Sequence, residues 1–161
     1  MKHLATIFIL FSVIACSKVQ ITEGNDGLPL PTEHGRGIFA CYIDNQTYVA
    51  KKHDAVTYNK TTGYLFLESA NRIFEFRLFV LEGLFDKGVY EFDNTNEEWV
   101  NSDYNSSYGI NPDGTNRLII SKLDLDDNVI AGRFDIDLIA SNGDVKIVHE
   151  GRFDLEMNII E

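Results

Sequence analysis

An all-β chain is what this sequence predicts, and three observations carry the prediction. The first is a repeat: Gly132-Arg133-Phe134-Asp135 recurs as Gly151-Arg152-Phe153-Asp154, with Ser141-Asn142-Gly143-Asp144 between the copies. Asn-Gly flanked by alternating apolar residues is a strong short-range hairpin signal. The second is the lack of a helical stripe, because apolar residues recur at period two and β-branched and aromatic residues crowd the periodic stretches. The third is the recurrence of Gly, Asn and Asp at strand-like intervals. Together they predict an antiparallel meander of about eight or nine strands, closed as a sandwich or an open barrel.

Ahead of that fold the chain has a different logic. Lys2 and His3 make a basic start, residues 4–14 are an apolar run, and Val13-Ile14-Ala15-Cys16 follows. The run is too short for a bilayer, which needs about 20 residues, so residues 1–15 read as a signal peptide. Its ending resembles the bacterial lipobox, in which the cysteine is lipidated and becomes the first residue of the mature chain. Acyl chains at about 0.8 kcal/mol per buried CH₂ would hold Cys16 on a membrane surface without spanning it. Residues 16–36 are rich in Gly, Pro, Asn, Asp and Thr without apolar periodicity, and read as the lipidated cysteine and a flexible tether. A single β domain is expected over 37–161.

Within that domain Phe39, Cys41 and Ile43 alternate with Ala40, Tyr42 and Asp44, and the strand returns over 46–50 after a turn at Asp44-Asn45. Strands follow at 55–58 and 64–69, joined by a turn at 59–63. Residues 73–80 alternate so that Phe74, Phe76, Leu78 and Val80 share the apolar side and Glu75 and Arg77 the wet one. A further strand starts at Val89. Residues 93–116 are the least regular part, with short strands expected at 98–101 and 107–110. Pro112-Asp113-Gly114 is a turn, 117–125 a strand, and Asp126-Asp127-Asn128 the turn into the last hairpin.

If Asn142 and Gly143 alone make the turn of that hairpin, Phe134 faces Gly151 and Gly132 faces Phe153. Each ring then covers a bare stretch of partner backbone, which fixes the register. Phe134, Ile136, Leu138, Ile147, Phe153, Leu155 and Met157 would share the core face, with His149 beside them. Arg133, Asp135, Asp137, Arg152, Asp154 and Glu156 would share the wet face.

Composition excludes some function classes. The chain of 161 residues carries a formal charge of −11, and loss of residues 1–15 removes one lysine and no acid. Such a surface repels phosphate backbones, so nucleic acid is not an expected partner. Only Cys16 and Cys41 are present, so no disulfide framework exists once Cys16 carries lipid, and Cys41 reads as a small buried hydrophobe. His3, His34, His53 and His149 are scattered without metal-ligand spacing. Asp124 to Asn128 has the acidic spacing that opens a calcium loop, but Val129 stands where the sharp turn needs glycine, so no metal is expected. A His53-Asp54 base has no positioned nucleophile, so no catalytic residue and no cofactor is assigned.

Two surfaces remain as candidates. Trp99, Tyr104 and Tyr108 stand among Asn and Ser side chains and suit stacking on sugar or peptide. Arg133, Asp135, Arg152 and Asp154 form a charged ladder that suits docking of a partner; Arg133 and Arg152 oppose each other, a like-charge pair that nearby acids must offset.

Residues 37–161 resemble a family of uncharacterised Bacteroidota lipoproteins known only as domains of unknown function. The likeness rests on the lipobox, on Phe39-Ala40-Cys41-Tyr42-Ile43-Asp44-Asn45, on Gly88-Val89-Tyr90, on Ile119-Ile120-Ser121-Lys122-Leu123-Asp124, and on the paired Gly-x-Phe strands. It implies a small β-sandwich or calycin-like barrel in the cell envelope, and it implies no catalytic residues. Lipoproteins of that group bound for the outer surface often carry acids just after the cysteine. Ser17-Lys18-Val19-Gln20 stands here instead, which favours the outer membrane with the domain facing the periplasm. The expected role is a lipid-anchored, non-catalytic binding or structural module whose partners are the membrane and an envelope protein or glycan. The alternatives are a calycin-like carrier with an apolar ligand among Phe74, Phe76, Phe134 and Phe153, and a glycan- or peptide-binding accessory protein using the aromatic loop 93–116.

Overall fold

Period-two alternation becomes eleven strands among the described residues of the chain, which in the computed structural model are 24, 26–50, 55–70, 75–80, 83–91 and 108–161. They are β1 (Ile38–Ile43), β2 (Gln46–Val49), β3 (Ala55–Asn59), β4 (Tyr64–Ala70), β5 (Glu75–Val80), β6 (Gly88–Glu91), β7 (Tyr108–Ile110), β8 (Asn116–Asp124), β9 (Val129–Ala140), β10 (Val145–Glu156) and β11 (Asn158–Ile160). Seven form a large sheet in the order β2-β1-β10-β9-β8-β6, with β7 also on β9, and four form a small sheet in the order β11-β3-β4-β5. No closed barrel is found among them. The signal peptide, Cys16, Phe74 and the strand expected at 98–101 lie outside the described residues.

The predicted meander holds within β1-β2, β3-β4-β5 and β8-β9-β10, and breaks between these runs. β1 pairs antiparallel with β10, so the first and last hairpins are neighbours despite the distance between them in sequence. β11, which the alternation does not announce, pairs in parallel with β3 and carries the chain from the large sheet to the small one. β7 and β8 lie end to end on the same edge of β9, parted by the Asn111 to Thr115 turn. The first hairpin is as expected: Asp44 and Asn45 both have positive φ (49° and 63°), the backbone a two-residue turn between twisted strands requires.

Residues of both sheets share one apolar core. Phe76 from the small sheet meets Phe39 and Phe134 from the large one with ring centroids 5.1 and 5.2 Å apart, and Phe134 lies 6.4 Å from Phe153. Rings at such separations gain contact energy beyond the roughly 1.5–3 kcal/mol that burial of each side chain supplies. Phe39 and Phe134 are also 5.1 Å apart, so Phe39, Phe76 and Phe134 all touch one another across the two sheets. Cys41 is fully buried, and burial pushes its thiol far above the usual range, so no thiolate is on offer at neutral pH.

The last hairpin keeps the predicted register in its distal half, with Gly151 opposite Phe134 and Phe153 opposite Gly132. A Cβ on Gly151 would stand 2.5 Å from the Phe134 ring, and one on Gly132 would meet Phe153 Cζ at 2.7 Å and collide with the Ile119 carbonyl oxygen. The turn is not the predicted two-residue one. Gly143 N–H donates to Ala140 O (2.9 Å) and Ala140 N–H to Asp144 O (2.8 Å), so three residues make the loop and Gly143, at φ 85°, supplies its left-handed position.

That extra loop residue shifts the proximal half by one, pairing Ile147 with Asp137 and Val148 with Ile136. A bulge between Val148 and Gly151, with Glu150 at φ 50°, restores the register beyond it. The correction follows directly, since a one-residue slip exchanges faces. Val148 is buried, whereas Ile147 is 52% exposed. His149 leaves the core face too: it stacks on Tyr42 at 5.2 Å, with its Nε2 3.2 Å from Asn45 Oδ1.

Residues 26–36, part of the tether in the compositional reading, lie as a strap across the outer face of the large sheet. Leu28 is fully buried. Arg152 donates to Pro29 O (2.9 Å) and to Asp26 Oδ2 (2.7 Å), Lys122 Nζ donates to Glu33 O (3.2 Å), and the Tyr42 hydroxyl donates to Asp26 O. Asp154 fixes the far end by accepting from Thr32 Oγ1, Gly35 N (2.6 Å) and Arg36 N (3.2 Å). Ile38, Ala40, Val129 and Ala131, outward by alternation, are buried as well.

Candidate functional site

Side chains on the outer face of β8, β9 and β10 point away from the core because their inward neighbours, Leu118, Phe134 and Phe153, are committed to it. Arg117 lies opposite Asp135, Ile119 opposite Arg133, and Arg133 opposite Arg152. Together with Glu150 and Gly151 at the bulge, these residues line a hollow of about 220 Å³ beside the strap.

The charges in this hollow are unequally matched. Asp135 Oδ2 accepts from Arg117 Nε (2.9 Å) and Nη2 (2.7 Å), and its Oδ1 accepts the Glu150 N–H (3.0 Å), which satisfies the bulged backbone. Arg152 is turned toward the strap, and Glu150 Oε2 stands 3.6 Å from its Nη2. The Arg152 hydrogen bond is the leading cause that holds the Asp26 carboxyl below its ordinary range. Arg133 is exposed and has no hydrogen bond or ion pair among the described residues. The like-charge pair is relieved because Arg152 leans on Asp26 and leaves Arg133 alone.

The predicted docking residues therefore divide. Arg133, Asp135 and Arg152 come together. Asp154 does not: it is 1% exposed and is occupied by the strap. Burial works to raise its carboxyl, but the bonds from Thr32 and the backbone of residues 34–36 outweigh this and hold it below the usual range. Arg117 and Asp26 were not foreseen. Arg117 shares the outward parity of Ile119, which was a readable signal, whereas Asp26 sits in a stretch with no local sign of packing.

Of the aromatic candidates, Trp99 and Tyr104 lie outside the described residues. Tyr108 is 6% exposed and belongs to the core, where its hydroxyl donates to Asp144 Oδ2 (2.6 Å) and Lys146 Nζ stands 5.4 Å from the ring centre. That carboxylate contact is the main reason its phenol is held above the usual range. Its ring is thus not a free stacking surface. Asp124 Oδ1 accepts the N–H groups of Asp126 (3.1 Å) and Asp127 (3.0 Å), closing the β8–β9 turn. Among the described residues no three His, Cys, Asp or Glu side chains converge as metal ligands, and no helix is long and apolar enough to cross a membrane. No protein-family model, curated protein or solved structure matches the chain.

Proposed function

We propose that this chain is a lipid-anchored, non-catalytic binding module of the cell envelope, carried on the outer membrane by Cys16, which docks a protein partner at the arginine-lined hollow. The observation that carries the reading is Arg133: an exposed guanidinium with no hydrogen bond or ion pair among the described residues, placed between two paired arginines in a chain whose formal charge is −11. An isolated cation in a concave, otherwise balanced site is a recognition feature, because structural arginines are held by acids as Arg117 and Arg152 are here. The lipobox and the resemblance to small Bacteroidota lipoproteins support the address.

The reading is tested by capture from solubilised envelope membranes with the full chain as bait. Arg133→Glu is expected to lose the captured partner while melting at the same temperature as the parent chain. Retention of every captured protein by this variant would remove the docking role. Incorporation of labelled fatty acid, lost in Cys16→Ser, tests the anchor separately.

A further inference from the structure

We infer that the hollow receives a single carboxylate, presented by an acidic side chain of a protein partner and held by Arg133 with Arg152 and Arg117 at its sides. This inference rests on the docking role proposed above and names the chemistry of what docks.

Charge counting selects the ligand. The three guanidiniums come from three adjacent strands, β8, β9 and β10. Asp135 is matched to Arg117, and Asp26 and Glu150 both flank Arg152, so among the described residues Arg133 is the guanidinium with no pairing, and the lining itself, three arginines against Asp135 and Glu150, carries one net positive charge. One free guanidinium balances one negative charge. A phosphate dianion would bring a second charge into a hollow that Asp135 and Glu150 also line, and like charges at that range repel. The planar fork of Arg133 presents two parallel N–H donors, the geometry a carboxylate accepts.

The walls narrow the source. Among the described residues no aromatic ring lines the hollow, so a sugar ring finds nothing there to stack on. Ile119, half-buried between Arg117 and Arg133, offers a small apolar floor suited to the methylenes of a glutamate. A volume of about 220 Å³ is on the scale of one side chain. The chain also rehearses the contact: the exposed Glu150 carboxylate stands 3.6 Å from Arg152, too far for a firm hydrogen bond and near enough to be exchanged for an incoming one.

The test is a titration of the full chain in detergent at low ionic strength, following the arginine Nε–H signals by NMR. The probes are the blocked tripeptide Gly-Glu-Gly, its Gly-Gln-Gly counterpart, sodium glucuronate and inorganic phosphate. Gly-Glu-Gly is expected to shift the Arg133 and Arg152 signals saturably, and the glutamine peptide to leave them in place. Arg133→Gln should weaken the response by about tenfold or more, with Arg133→Lys intermediate because it keeps the charge and loses the fork. Stronger binding of glucuronate or phosphate than of Gly-Glu-Gly would overturn the assigned ligand, as would equal response to both peptides. Silence from all four probes with capture still lost in Arg133→Glu would sink the carboxylate and spare the docking role. Silence together with unchanged capture would end both.

Discussion

On the inner face of the β9–β10 ribbon, Phe134 and Phe153 share one fate: each is buried and each covers a glycine on the other strand. On the outer face the residues beside them in sequence part company. Asp154 is buried under the strap, Arg152 is tied to it, Asp135 is spent on Arg117 and the Glu150 backbone, and Arg133 is left free. The two faces arise from one alternation. They differ because apolar contact asks only for proximity, while a charged group needs a specific partner, and the partners here arrive from residues far off in the chain.

The rings carry the largest expected effect. Phe134→Ala is expected to cost about 3–5 kcal/mol, the usual range for a deleted core ring, read as a loss of unfolding free energy in denaturant. The glycines beneath them separate the two modes of packing. Gly132→Ala pushes against the Ile119 carbonyl, which is backbone and cannot yield, and should cost about 3 kcal/mol; Gly151→Ala pushes against a ring that can tilt and should cost roughly half of that.

On the outer face the largest effect belongs to Asp154. Asp154→Ala strands the Gly35 and Arg36 N–H groups and should cost about 2–3 kcal/mol, with protease cleavage appearing within residues 26–36 before the sheet unfolds. The same contact makes a pH prediction. Asp154 and Asp26 both sit below their ordinary value of 3.8 when folded, so the stability they contribute is complete above that value and drains away as pH falls through the depressed one. Melting curves from neutrality to about pH 2 should therefore show the gap between the parent and Asp154→Asn closing only in acid. The smallest effect is expected at Arg133. Arg133→Gln should change stability by less than about 0.5 kcal/mol while abolishing capture, a separation that no residue of the inner face could show.

Much of the strand pattern was legible, because period two records which side of a sheet each residue faces. The Gly-Phe pairs fixed the distal register correctly even though the turn was assigned one residue too short. That error was hidden by the bulge at Glu150, whose N–H is held by Asp135. Its visible cost was local: Ile147 and Val148 exchanged faces. The candidate site was legible in part, since Arg133, Asp135 and Arg152 follow from the same alternation. Asp26 was not, since nothing near it in sequence distinguishes a strap from a tether.

By itself the sequence determined the strand character of the described residues, the Asp44-Asn45 turn and the inward set of β9 and of the distal half of β10, all of which are short-range consequences of side-chain period and turn chemistry. Tertiary structure alone decided that β1 lies against β10, that β11 crosses to the small sheet, and that residues 26–36 cover Asp154. Those contacts join segments far apart in the chain, and a hydrogen-bond donor carries no mark of the distant acceptor that will use it.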